Sequence, residues 1–173
     1  ADGRVAGALL AARTALLDIL KPLIRRYHTR ATIYSWEIIN EPEYVTTASA
    51  EEVNTFVNAC VAMIHAESPT ARVTLGCRNR DDVARWTSAG FDLYQFHHYD
   101  SMEGQLPLAT PVAQVGVSKP VLIGECQPTM IRDKMDIAAI NGYAGMLFWS
   151  LNADYDFTAV ADEYAGWCDA HLE

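Results

Sequence analysis

Ile33-Tyr34-Ser35-Trp36-Glu37-Ile38-Ile39-Asn40-Glu41-Pro42 is an apolar, β-rich run that leads into a glutamate and is closed by a proline. A run of this composition reads as a strand, with its last carboxylate at the strand's C-terminal end. Lys119-Pro120-Val121-Leu122-Ile123-Gly124-Glu125 has the same layout. Two such strands in one parallel sheet would carry Glu41 and Glu125 to the same rim. Paired carboxylates on one rim can divide acid, base and nucleophile roles between them.

Outward from these two runs, strands and helices alternate. Val5, Leu9, Ala12, Leu16, Ile19, Leu20, Leu23 and Tyr27 recur at helical spacing and predict a helix over 5–28, with a kink or restart at Pro22. A strand over 32–40 follows. Period two places Ile33, Ser35, Glu37 and Ile39 on the face of Glu41, and parity is least secure at the strand end, where bulges re-aim side chains. Ser49-Ala50-Glu51-Glu52 is a capping box, and Val53, Phe56, Val57, Cys60 and Ile64 give the helix it opens one apolar stripe ahead of Ser68-Pro69. The remaining pattern predicts strands over 72–77, 91–97, 121–125 and 143–149. It predicts helices over 81–88, 133–140 and 159–171, and a short helical crossover over 111–117.

Strands alternating with helices predict a parallel sheet covered by helices, an α/β fold in one domain spanning 1–173. Half of the 173 residues are apolar, so a sizeable core is expected. The formal net charge of −9 and the lack of basic clusters argue against nucleic acid and anionic membrane surfaces as partners. No apolar run is long enough to span a bilayer. Ala1 is not a natural start, so a leader or a longer N-terminal part is expected to precede it, and the compartment, cytoplasmic or secreted, stays open. Cys60, Cys77, Cys126 and Cys168 form no C-x-x-C pair, and buried free thiols are expected rather than a zinc knuckle or a disulfide. Neither a G-x-G-x-x-G, a P-loop nor a G-x-S-x-G is present, so nucleotide-binding and serine-hydrolase readings are weak.

Trp36-Glu37-Ile38-Ile39-Asn40-Glu41-Pro42 resembles the Asn-Glu-Pro signature at the end of the fourth barrel strand in clan A glycoside hydrolases, most of all the cellulase and mannanase group, family five. Ile123-Gly124-Glu125 is similar to that clan's seventh strand, Phe96-His97-His98-Tyr99 to its sixth, and Leu147-Phe148-Trp149-Ser150 to its eighth. The resemblance covers nearly the whole chain. It implies a partial TIM (β/α)8-type barrel of about five parallel strands, equivalent to strands four to eight. A whole barrel of this kind takes about 250 residues.

The resemblance also implies a retaining β-glycoside hydrolase of a β-linked sugar that works by double displacement, with no cofactor. Glu41 would be the acid/base and Glu125 the nucleophile. Asn40 would bind the sugar 2-hydroxyl, His97 and Tyr99 would hold the nucleophile ionised and aimed, and Trp149 would be the sugar platform, followed by a cis peptide to Ser150. Each residue has a plainer reading. Glu41 is also a loop glutamate before a proline, Glu125 an ion-paired strand end, Asn40 a turn residue and Trp149 a core aromatic. Trp36, Trp86 and Trp167 read as packing residues, and His28, His65 and His171 as surface or cap residues. A metal site at His97-His98 is the rival reading there, but adjacent strand residues face opposite ways and rarely share an ion.

The clan's arginine and histidine near strands two and three have no counterpart here. Glu37, inward by parity, would then have to take up a proton or find water. An open five-strand sheet is also expected to expose two edges and an apolar inner face, which a homo-oligomer or a complementing N-terminal barrel segment would cover. Three functions stay open at this point: a glycoside hydrolase, a truncated self-associating barrel with little activity, and a carbohydrate-binding module without turnover.

Overall fold

A computed structural model describes residues 3–150 and 157–171, with side chains from 13 to 150 and from 158 to 171. Nine main elements follow one another: α1 (Gly3–Tyr27), β1 (Trp36–Asn40), α2 (Ala50–Glu67), β2 (Val73–Cys77), β3 (Tyr94–His98), β4 (Val121–Cys126), α3 (Ile131–Ile140), β5 (Gly145–Phe148) and α4 (Phe157–His171). The five strands form one sheet in the order β1-β2-β3-β4-β5, and every neighbouring pair is parallel. The α/β architecture expected from the alternation is therefore the observed one.

Local signals explain most element starts. Ser49 caps α2 with its hydroxyl on the Glu52 N–H, and Glu52 returns the bond to Ser49, completing the box read from the sequence. Three expectations need correction. Residues 81–88 and 111–117 do not make α-helices but 3₁₀ turns, Arg80–Trp86 and Val112–Val115. The Asn79 side chain accepts from both Asp81 and Asp82 N–H groups, and Gly116 ends the second turn at φ 78°. As the 5–28 pattern predicts, α1 is one helix, with Pro22 inside it, and its last turns are held against α2 by the buried Ile24 and an Arg25–Glu67 ion pair. The side chains of Val5, Leu9 and Ala12, the first part of its predicted stripe, lie outside the described residues. In β1 the register shifts between Glu37 and Asn40. Ile39 therefore packs against the core with Trp36 and Ile38, and Asn40 takes its place on the face of Glu37.

The core lies between the sheet and its helices. Val57, Val61 and Ile64 of α2 meet Val73 and Leu75 of β2, and Val121, Ile123, Met135 and Met146 extend the same layer. The four cysteines are free; burial pushes Cys60 and Cys126 up to about 11 and Cys77 higher still, so these three thiols stay protonated and inert.

The other face of the sheet is the expected apolar interior in part: Leu147, Phe148 and Trp149 line its β5 side, while its middle is polar. Glu37, Gly76, Gln95, His97 and Gly124 lie there, and by alternation so does the buried Thr74. Glu37 is not left unpaired, because the buried Gln95 donates to its Oε2 at 2.6 Å. Gly124 makes room for this contact, since a Cβ there would lie 2.0 Å from Gln95 Oε1.

Candidate active site

β1 delivers Asn40 and then Glu41 to the C-terminal rim. The Glu41 N–H extends the ladder to Gly76 O at 2.7 Å, after which the backbone turns through φ 44°, ψ 57° into a 3₁₀ turn opened by Pro42. A non-glycine residue in this left-handed region is uncommon and unfavourable by roughly 1 kcal/mol, so tertiary contacts must hold it. Two sit nearby: Pro42 is buried, and the Glu43 carboxylate accepts from the Trp86 indole at 2.8 Å and the Arg78 N–H at 3.1 Å. The turn carries the Glu41 carboxylate to the buried His97, whose Nδ1 lies 2.6 Å from Glu41 Oε1.

β4 delivers Glu125. Its Oε2 is 3.4 Å from His97 Nδ1 and accepts from the Tyr99 hydroxyl at 2.5 Å. One donor atom from each of Glu41, His97 and Glu125 lies within 4.8 Å of the others. Two carboxylates that start 84 positions apart in sequence thus share one imidazole. Burial, then the hydrogen bond and charge of Glu125, push the Tyr99 hydroxyl well above the ordinary tyrosine range, so it stays a donor. The same three side chains are a donor set of the kind that binds a divalent ion. An ion there would displace the His97–Glu41 hydrogen bond.

The floor is cleared by Gly76, where a Cβ would lie 2.7 Å from Glu37 Oε1, 3.0 Å from His97 Nε2 and 3.1 Å from Asn40 Oδ1. Above it opens a cavity of about 1070 Å³, lined by Glu37, Asn40, His97, Glu125 and Trp149 on the sheet side and by Tyr164 on α4. Trp149 is 57% exposed, and a cis peptide joins it to Ser150.

All six residues singled out from the sequence therefore meet at one rim. The two adjacent histidines separate as strand geometry requires: His98 faces away and pairs with Glu103 at 2.9 Å, and burial lowers its pKa. Trp86 is buried as expected, and His28 and His171 are exposed and bond to helix carbonyls. His65 is only half-exposed and pairs with Asp92 at 2.8 Å. Gln95, Gly76 and Gly124 were not anticipated as parts of the site. The signal for the glycines was a glycine inside a strand, which often marks close approach of another group.

No protein-family model and no curated protein matches this sequence. Solved structures do. The fold is similar to an endo-1,4-β-mannanase from Eisenia fetida (TM-score 0.70, 23% identity, covering 83% of this chain and 55% of that one). It is also similar to a β-mannanase from the blue mussel Mytilus edulis (TM-score 0.76, 21% identity, 95% and 62%). A more distant likeness is to a β-glucanase from Saccharophagus degradans (TM-score 0.61, 12% identity, 83% and 53%). At these identities the likeness is one of fold: five parallel strands and their helices matching part of a TIM-barrel glycoside hydrolase. The chain spans a little over half the length of the structures it matches.

Proposed function

We propose that this chain carries the catalytic carboxylate pair of a retaining β-glycoside hydrolase. The observation that supports it most is the carboxylate spacing. Retaining enzymes hold their two carboxyls about 5–5.5 Å apart, whereas inverting ones leave roughly 6.5–9.5 Å for a water. The Glu41 and Glu125 oxygens, at 4.8 Å or less, fit the first geometry.

In the first step a Glu125 oxygen attacks the anomeric carbon and the glycosidic C–O bond breaks. The proton on Glu41 passes to the departing oxygen. In the second step Glu41 takes a proton from water, the water oxygen attacks the anomeric carbon, and the bond to Glu125 breaks. Tyr99 donates to Glu125 and keeps one oxygen aimed. His97, between the two carboxylates, moderates their mutual repulsion. Asn40 meets the sugar 2-hydroxyl, and the open face of Trp149 stacks on the pyranose ring. The matched mannanases make a β-1,4-linked mannan the first substrate to try, with a β-glucan second.

The test is release of nitrophenol from aryl β-mannosides and β-glucosides, with reducing-end formation from the polysaccharides. Activity in the wild type that disappears in Glu125→Gln, with the product anomer retained by NMR, is the expected result. Activity that survives Glu125→Gln removes this reading. Saturable sugar binding without release would favour a carbohydrate-binding module instead.

A second element of the proposal concerns assembly. Among the described residues β1 and β5 pair on one side only, and Leu16, Ile19 and Leu23 form an exposed apolar stripe on α1. We propose that a second copy, or a complementing barrel segment, covers these surfaces and completes the sugar site. A scaffold role with little turnover is what remains if no such cover restores activity.

A further inference from the structure

Lys134 is a lysine on α3 that is 4% exposed, with its ammonium fully engaged. Its three protons reach Asp100 Oδ1 at 2.6 Å, Gln127 O at 2.8 Å and Thr129 Oγ1 at 2.8 Å. Thr129 Oγ1 in turn donates to Asp100 Oδ2 at 2.6 Å. The closed triangle joins two loops, the one leaving β3 and the one leaving β4. Asp100 directly follows Tyr99, and Gln127 lies two residues beyond Glu125. The junction is thus tied through one residue to Tyr99 and through two to Glu125, the partners of the 2.5 Å hydrogen bond.

A buried ion pair is weak evidence for stability, because an apolar replacement of similar volume is often as stable; its use is to specify a geometry. Here the specified quantity is the separation of two rim loops. We propose that Lys134 is a positioning residue: through Asp100 and Thr129 it fixes the β3 loop against the β4 loop and so holds the Tyr99 hydroxyl on Glu125. Lys134 touches no substrate and acts only through Tyr99. The catalytic consequence rests on the glycoside hydrolase reading, whereas the structural claim does not.

The experiment has a spectroscopic arm and a kinetic one. A phenolic proton shared across a 2.5 Å contact between the Tyr99 hydroxyl oxygen and a carboxylate oxygen exchanges slowly and resonates downfield in the proton spectrum. Tyr99→Phe identifies it by its loss. In Lys134→Met, of similar volume and without charge, the resonance is expected to vanish in a protein that still unfolds cooperatively, at a midpoint lowered by the loss of one partner of a buried pair. If Lys134→Met does not fold, Asp100→Asn takes its place, with the Tyr99 resonance again expected to vanish. A Tyr99 resonance that persists at the wild-type position in the folded variant overturns the proposal. So does the absence of any resonance that Tyr99→Phe removes.

In the kinetic arm Lys134→Met is expected to lower kcat by up to about 10²-fold at unchanged KM, as small displacements of reacting groups do. The double variant Lys134→Met, Tyr99→Phe should lose no more than Tyr99→Phe alone. Additive losses would show that Lys134 acts by another route and overturn the assignment. A wild type that hydrolyses nothing would count against the proposed function, and the spectroscopic arm would still decide the role of Lys134.

Discussion

At Glu41 the backbone conformation and the side-chain contact belong together. The left-handed turn before Pro42 brings the carboxylate to His97 Nδ1 at 2.6 Å, instead of leaving it to solvent as the plainer reading of a loop glutamate would have it. If Glu41 is the acid and base, Glu41→Ala should slow hydrolysis of unactivated glycosides by about 10²–10⁴-fold, the ordinary range for a positioned proton-transfer group. Aryl glycosides with acidic leaving groups need no proton to depart, so their first step should be nearly unaffected. Their glycosyl-enzyme should accumulate, and added azide should relieve it by taking the place of activated water. Burst kinetics with and without azide check this. Equal loss on both substrate classes would remove the acid/base role. Glu41 and Glu125 were legible at this scale because each closes a strongly apolar strand run, whereas Asn40 was singled out only by the resemblance. The partner of Glu37 was not legible, because Gln95 lies 58 positions away and only the sheet order brings it near.

The elements around the site are set by close approach and by two pinned loops. Gly124 lies under Gln95 with no room for a Cβ, so Gly124→Ala must push Gln95 from Glu37 or shift β4. Overpacking of this kind is unfavourable by roughly 1–3 kcal/mol, and a lowered denaturation midpoint measured in urea is the expected result. An unchanged midpoint would mean that Gln95 yields freely and that the lumen contact does not matter. The β3 loop has its own pH signature. Burial alone would raise the Asp100 pKa, but hydrogen bonds from Lys134 and Thr129 outweigh it and bring it below its ordinary value. A carboxylate with a depressed folded pKa stabilises the fold fully above its unfolded value of about 3.9 and loses that contribution as pH falls through the folded value. The stability gap between wild type and Asp100→Asn should therefore be constant near neutrality and narrow below about pH 4, as measured by unfolding at several pH values. A gap that is constant down to the acid transition would contradict the pairing. The capping box and the position of every strand could be read from the sequence, because periodicity and turn chemistry are local; the order of the strands followed only from the resemblance to barrel strands four to eight. The two 3₁₀ turns and the shift of Ile39 toward the core could not. Each depends on how much chain a connection has to span or on what packs against it.

At the scale of the whole molecule the question is what covers the open sheet. Fully burying one leucine or isoleucine contributes about 1.5–3 kcal/mol. Leu16 and Leu23 are 41% and 43% exposed and Ile19 is 71% exposed, so part of that gain is already made inside the chain. Association loses an estimated 4–15 kcal/mol of rigid-body freedom. The α1 stripe alone is thus too small to hold a stable dimer, and backbone pairing at the β1 or β5 edge has to add to it. A net charge of −9 on each copy opposes the approach, and salt screens that repulsion. Self-association should therefore be concentration-dependent and should strengthen with added salt, the reverse of what an interface built on ion pairs would do. Light scattering at micromolar and higher concentrations should give a weight-average mass above the 19.1 kDa of one chain. Ile19→Lys, at the most exposed point of the stripe, should return the mass toward one chain without lowering the thermal midpoint. A folded protein of single-chain mass across the range, with or without salt, would leave a complementing barrel segment as the cover. Any hydrolytic activity should then rise when a segment carrying the three further strands is supplied in trans.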